Sequence, residues 1–567
     1  MRRTTDMPHR TGPAVAAVIA VATAIAGCGG ASGPPGTSGL KALDINPLPR
    51  AQVKEGGVLR WAVDEFPTQW NLNQIDGSLQ TAADVLYAML PTPFLTDEKA
   101  ALRVNPDYVT AAKVTARTPH QVITYTLNRS ARWSDGKPIT WRDYAAQWRA
   151  LRSSTGPYLV AASTGYEDIT GVVMGRDAHQ VVVTFGKPFA EWQQLFGPLY
   201  PESANSTPKA FNSAWKNRIP ITAGPFKPGS IDKTSKIVTI VRDPAWWGRR
   251  AKLDSIAYRT LDDSAIVNAF ANGEVDYGDI GPDASGYKRA LGVSGGAVRE
   301  AGGPDFRHFT LNATSPLLSD VRVRRAVGMA LDRAVIARAD LTGLNWPARA
   351  LDNHFLVNTQ TGYRDNAGSF GRYDPAGAGK LLDAAGWKLS GGVRMKAGKT
   401  LTLRFVIPSG TPISKQEGEI AQGMLQKVGI KIDLRTVPGD SFFDSYVIPG
   451  NFDITPFSWI GTPFPVSSGE AIYVNPTKDA KGQLQVQENF ARIGSARIDA
   501  LMRRAAATLD VTKALELVNQ ADALVWQEGH SLPLYQRPEI TAVKASLANL
   551  GAFGFKTAAF EDIGYAK

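Results

Sequence analysis

Trp133-Ser134-Asp135-Gly136-Lys137-Pro138-Ile139-Thr140-Trp141-Arg142-Asp143 is the stretch from which the fold can be read. Asp135-Gly136 is a tight-turn pair, since glycine accepts the backbone angles such turns demand. The chain before it reads as a strand. Thr140 is a helix N-cap, and Asp143 stands near the positive end of the helix that follows, through Trp148. Working outward, residues 121–127 and 181–185 read as strands. Toward the N-terminus, Gly56-Gly57 is a turn before a strand over 58–63. Residues 82–90 have a helical pattern that Pro91 and Pro93 stop. Strands and helices alternate to the C-terminus, which predicts a mixed α/β fold. No repeat of 20–50 residues is present. Pro- and Gly-rich breaks near 197–208, 302–304 and 345–350 are candidate lobe junctions.

The composition, 43% hydrophobic and 20% charged, excludes global disorder. With 567 residues, several domains or one large bilobed body are expected. Cys28 is the only cysteine, so a disulfide scaffold and a Cys-rich metal protein are both excluded. The net charge of +11 is not gathered into a basic block, which argues against nucleic acid as a partner.

The N-terminus sets the compartment. Arg2, Arg3 and Arg10 form a basic region before the apolar run 14–26, which has the length of a signal-peptide core and is too short for a membrane span. It ends in Ile25-Ala26-Gly27-Cys28, which looks like a bacterial lipobox with Cys28 as lipid acceptor. Residues 1–27 are thus expected to be a lipoprotein signal peptide. Residues 28–54 are expected to be a lipid-anchored tether, most flexible over the Gly-, Ser- and Pro-rich 29–39. Acyl chains on Cys28 would hold the protein at the outer face of the cytoplasmic membrane.

Motifs of catalysis mostly fail. Gly292-Val293-Ser294-Gly295-Gly296 fits G-x-S-x-G, but a helix-like run (287–291) precedes Ser294 and a strand-like run follows, the reverse of a nucleophile elbow. Gly398-Lys399-Thr400 resembles the end of a phosphate-binding loop, yet Gly392 is one residue too far upstream and the region reads as a hairpin. The six histidines are scattered without metal-ligand spacing. No metal, no cofactor and no enzymatic activity are expected.

Several segments together resemble the extracytoplasmic solute-binding proteins of ABC importers, in the oligopeptide/dipeptide-binding family (family 5). The opening stretch is similar to the family's W-S-D-G-x-P-[VIL]-T-A-x-D signature. Ala223-Gly224-Pro225-Phe226 follows, then Arg242-Asp243-Pro244-Ala245-Trp246-Trp247-Gly248 with Leu253-Asp254-Ser255-Ile256. Asn272-Gly273-Glu274-Val275-Asp276, Asp320-Val321-Arg322-Val323-Arg324-Arg325-Ala326, Tyr373-Asp374-Pro375 and Ala385-Gly386-Trp387 continue in the family's order. The resemblance spans about residues 55–545. With the lipobox and the Ala, Gly and Arg richness, the chain looks like an actinobacterial lipoprotein.

The resemblance implies a bilobed Venus-flytrap fold. Lobe one would comprise 55–82, 205–300 and 525–567, with an inserted subdomain over 83–204, and lobe two would be 301–524. It implies a monomeric receptor that binds an oligopeptide between the lobes and delivers it to permease subunits and their ATPases. A sugar or metal chelate is an alternative ligand, and a hydrolase using Ser294 a distant alternative.

The family's G-W-x-x-D segment, whose acid pairs with the peptide ammonium, corresponds to Ser458-Trp459-Ile460-Gly461-Thr462-Pro463-Phe464. Trp459 would be a cleft wall, Ile460 and Gly461 would offer backbone groups, and Phe464 would line a pocket. Thr462 stands where the acid should be and offers no charge. Either another acid (Asp76, Asp440, Asp444 or Glu470) replaces it, or the ligand lacks a free amine. Asp76 and Gly77, after the first strand, and His354, in lobe two, complete the expected ligand-binding residues.

Overall fold

A ten-stranded sheet runs through the molecule, in the order Lys431–Val437, Thr402–Pro408, Ile454–Ile460, Gly296–Leu311, Ser531–Lys544, Tyr277–Asp279, Val58–Val63, Ser255–Thr260, Ile237–Arg242 and Phe226–Asp232. The structure, a computed structural model, describes residues 39–478 and 482–567. The expected signal peptide, the expected lipid acceptor Cys28 and the expected tether up to residue 38 lie outside the described residues.

The two long strands at the middle of the sheet, Gly296–Leu311 and Ser531–Lys544, cross from one lobe to the other. They pair antiparallel from Gly296↔Lys544 to Thr310↔Ser531. The ladder breaks between Gly302↔Pro538 and Phe306↔Gln536, so residues 303–305 stand opposite Arg537 alone. Gly302-Gly303-Pro304 falls in this bulge. Pro304 has no N–H to give a ladder and the two glycines stiffen it least, so the sheet bends here most readily. The molecule is bilobed about this point.

Two apolar cores flank the crossing. In the first lobe, Leu59 and Ile256 pack in one cluster with Trp133, Tyr144 and Phe196. Those last three belong to 83–204, which carries its own four-stranded sheet in the order Val109–Ala116, Gln121–Leu127, Gln180–Phe185, Ile169–Met174. The second lobe's core joins Phe309, Leu403, Phe405 and Leu425.

The opening stretch folds through local bonds. Asp143 Oδ2 accepts the Thr140 N–H at 2.8 Å while Thr140 Oγ1 accepts that of Arg142 at 3.3 Å, which starts the helix Trp141–Leu151. Asp143 Oδ1 also accepts from Trp133 Nε1 at 3.2 Å and from the Glu202 N–H at 2.9 Å. The signature acid is therefore a buried structural anchor. The chain before the turn forms only a single bridge, Arg132↔Pro138, rather than the expected strand.

Two boundaries differ from expectation. The tether expected over 28–54 is folded from Asp44 on. Asp44–Ile45 pairs with Gly551–Ala552, Val53 is fully buried, and Arg50 Nη1 meets Asp562 Oδ1 at 2.9 Å. Burial of Val53 and a paired strand fix this part of the expected tether. The segment 525–567, expected in lobe one, begins in lobe two. Leu532, Leu534 and Tyr535 pack with Phe309 and Phe405, whereas Val543, Leu547 and Leu550 pack in the first core. One strand serves both lobes, so a single boundary cannot describe it.

Ser294 lies between the helix Ala284–Leu291 and the strand Gly296–Leu311, the order opposite to a nucleophile elbow. Val393–Lys396 and Lys399–Thr400 form the hairpin read from the sequence. Among the described residues no helix is long and apolar enough to cross a membrane.

Candidate functional site

A candidate binding face of the second lobe follows from strand alternation. Along Ile454–Ile460, Phe457 and Trp459 point to one face, in register with His308 and Phe306 of the crossing strand. Trp459, half-buried, stacks near-parallel with His308 (5.9 Å, 11°) and with Phe490 (5.7 Å, 13°). Phe457 meets the His308 ring edge-on at 4.3 Å. Phe443, packed on Phe457 at 5.5 Å, leaves 44% of its surface exposed. Burial holds the His308 imidazole well below its ordinary pKa, so the stack is neutral.

The strand then ends beside the bulge of the crossing strand. Ile460 pairs with Asp305 and is 70% exposed. The Gly461 N–H donates to the Pro304 carbonyl at 3.0 Å, and a Cβ on Gly461 would stand 2.7 Å from that oxygen. Gly461 is thus needed for close approach, and its N–H is already used. The Thr462 hydroxyl accepts the Phe464 N–H at 3.0 Å, and its carbonyl accepts Gln360 Nε2 at 2.9 Å. Phe464, half-buried, precedes the helix Pro465–Tyr473.

The first lobe presents a different chemistry. Asp64 follows the carboxyl end of Val58–Val63, and Asp279 ends the parallel strand Tyr277–Asp279 beside it. Carboxyl ends of parallel strands are where open α/β sheets receive ligands. Asp84 stands on the helix Gln80–Leu86, and Glu539 on the crossing strand. Burial, then the charges of Asp64 and Asp279, push the Asp84 carboxyl up to about 6. Burial, with the charges of Asp279 and Asp84, pushes that of Glu539 up to about 8. Asp279 is also raised, chiefly by burial. Charges that act on one another in this way lie near each other, with Asp64 and Asp279 exposed and Asp84 and Glu539 half-buried. Glu539 accepts the N–H groups of Phe553 (3.1 Å) and Gly554 (2.8 Å). That places the next aromatic, Phe555, against Phe306 and Val357, with Trp459 at the edge of the same cluster.

Not every expected residue joins this cleft. His354 is a correction. It is 2% exposed, its Nδ1 bonds Asp522 Oδ1 at 2.7 Å, and its Nε2 bonds the Ser531 carbonyl at 3.2 Å. Both ring nitrogens are used, so it ties structure together and offers a ligand nothing. Gly77 is buried, and a Cβ there would fall 2.1 Å from the Asn71 carbonyl, so its role is packing. The Asp76 carboxylate accepts from Gln74 Nε2 at 3.1 Å within its own turn. Of the acids considered for the Thr462 position, Asp440 and Asp444 are exposed. Glu470 faces Asp168 and Glu167 of the first lobe, whose charges, after burial, raise its pKa. Among the described residues no group of three or more metal-ligating side chains occurs.

Two lobes with separate apolar cores, joined by a bulged double-strand crossing, define a bilobed solute-binding protein. A family model described as "Bacterial extracellular solute-binding proteins, family 5 Middle" matches residues 103–481, and the chain belongs to that family. It is 40% identical over 530 residues to "Oligopeptide-binding protein OppA" of Mycobacterium tuberculosis, covering 92% of this chain and 87% of that protein. Among solved structures it is similar to "Periplasmic EDTA-binding protein EppA", with 27% identity and a TM-score of 0.82, covering 93% and 99% of the two chains. It shares its fold with AppA of Bacillus subtilis, solved with a nonapeptide, at 18% identity and a TM-score of 0.70, covering 91% and 100%.

Proposed function

We propose that this protein captures oligopeptides between its lobes and hands them to the permease subunits of an ABC importer, anchored outside the cytoplasmic membrane through lipid on Cys28. The 40% identity to an oligopeptide-binding protein over nearly the whole chain carries this reading. The cleft chemistry fits it. A peptide offers repeating N–H and C=O groups, apolar side chains for the Trp459 and Phe443 wall, and an ammonium for the carboxylates. The first-lobe carboxylates take over from the acid that Thr462 replaces. The work is binding and delivery, with no bond of the ligand made or broken.

Denaturing mass spectrometry of what co-purifies with the protein tests the ligand class. A ladder of mixed short peptides is expected. A single non-peptide mass, such as a chelate of the kind the EppA title names, would retire the peptide reading and keep the receptor. Cys28→Ser should abolish labelling by fatty acid; persistent labelling would exclude Cys28 as the lipid acceptor.

Binding should also release protons. An ammonium beside the carboxylates favours their ionised forms, so their pKa values fall in the complex. With Asp84 raised to about 6 and Glu539 to about 8 in the free protein, peptide affinity should rise with pH between about 6 and 8. Calorimetry in two buffers of different ionisation enthalpy reads the release directly. A pH-independent affinity would separate the amine from these groups.

A further inference from the structure

The helix Pro465–Tyr473 of the second lobe begins without a cap of its own. Phe464 at the N-cap position has no polar side chain, and Pro465 at the first helical position has no N–H. The next two N–H groups, of Val466 and Ser467, both donate to the Glu191 carboxylate at 2.8 Å. The Ser467 hydroxyl donates to the same carboxylate and accepts from Gln194 Nε2 at 2.8 Å. Beside them the Ala190 N–H donates to the Ala506 carbonyl at 2.6 Å.

Glu191 and Gln194 belong to the segment 83–204, which shares the first lobe's core through Trp192, Leu195 and Phe196. Val466 packs in the second lobe with Ile472, Tyr473 and Ile498. The cap therefore comes from the opposite lobe, and the two crossing strands take no part in it. A carboxylate on a helix N-terminus meets both the orphan donors and the positive end of the dipole. When the lobes part, the helix keeps two unanswered N–H groups and Glu191 returns to water.

We propose that Glu191 is an inter-lobe clasp that completes the helix Pro465–Tyr473 only when the lobes are shut, and so sets the closed population. The proposal rests on the reading of this protein as a receptor that opens and closes, but on no particular ligand. It adds a second determinant of closure to the ligand itself.

The test is small-angle scattering of the protein without added ligand. Glu191→Ala is expected to shift the closed-to-open ratio toward open by about tenfold, the worth of a charged cap, seen as a larger radius of gyration. Glu191→Gln, which keeps an acceptor oxygen, should fall between. Should Glu191→Ala disturb folding by circular dichroism, Ser467→Ala approaches the clasp from the other lobe and should open the protein in the same direction by less. Scattering curves of folded variants that superimpose on the wild type would overturn the clasp. Because no ligand enters the measurement, a protein that opens on Glu191→Ala yet carries no peptide keeps the clasp and loses the peptide reading. One that carries peptide with unchanged scattering loses the clasp alone.

Discussion

Replacing Arg307 with methionine is expected to cost about 3–5 kcal/mol of folding stability, the range for breaking a buried ion pair by removing one partner. Arg307 lies on the face of the crossing strand opposite His308. Its Nε and Nη2 meet the two oxygens of Glu417 at 2.7 and 2.6 Å, and Nη2 also donates to Ser414 Oγ at 2.8 Å. The Glu417 side chain is 0% exposed. Beside it, burial and the Glu417 charge push the Asp340 carboxyl up to about 8, so Asp340 already stays protonated at neutral pH. Without the guanidinium, two carboxyl groups share a dry site with no cation, and the charge on Glu417 has no answer.

Adding Glu417→Gln to Arg307→Met should recover most of the loss, because the pair is costly to break and cheap to neutralise together. Urea unfolding followed by far-ultraviolet circular dichroism reads this as a midpoint that falls in the single variant and returns in the double. Equal midpoints in wild type and Arg307→Met would mean that the pair has no structural weight.

The legible parts of this molecule are those held by near neighbours in sequence. Trp133, Thr140 and Asp143 bond one another within ten residues, and their spacing announced the turn and the helix. The break at 302–304 is likewise local, since proline and glycine interrupt a ladder wherever they stand. His354 was misread for the opposite reason. The group that closes its ring, Asp522, lies 168 residues further on, and nothing near position 354 shows it. The carboxylate wall was missed because residues 64, 84, 279 and 539 are brought together only by the strand order. A signal was present, in Asp64 and Asp279 at the ends of short apolar strands, but strand ends of an unknown sheet do not say which ends adjoin. Residues 44–54 fall within the expected tether, and become structure because the C-terminal residues 551–566 supply their partners.

Trp459→Ala should weaken ligand binding by about a hundredfold, or roughly 2.7 kcal/mol, which is the scale of an aromatic anchor in a desolvated pocket. The indole is both contact surface and keystone. His308 and Phe490 lie near-parallel to it at 5.9 and 5.7 Å, Phe457 meets it edge-on at 5.2 Å, and the half-buried ring keeps surface open to a ligand. Alanine removes the ring and leaves His308, Phe457 and Phe490 free to collapse inward, so the wall loses its shape as well as its area. Trp459→Phe keeps one stacked ring and should stay within about tenfold of the wild type. The two variants must be compared by calorimetry at matched fold, with thermal midpoints as the control, since Trp459 also touches three apolar clusters. If Trp459→Ala is folded and binds like the wild type, the ligand sits elsewhere between the lobes, and the carboxylates at Asp84 and Asp279 become the wall to mutate. If both variants lose a hundredfold, the ligand is held by what phenylalanine does not reproduce, the indole N–H and the second ring of the indole.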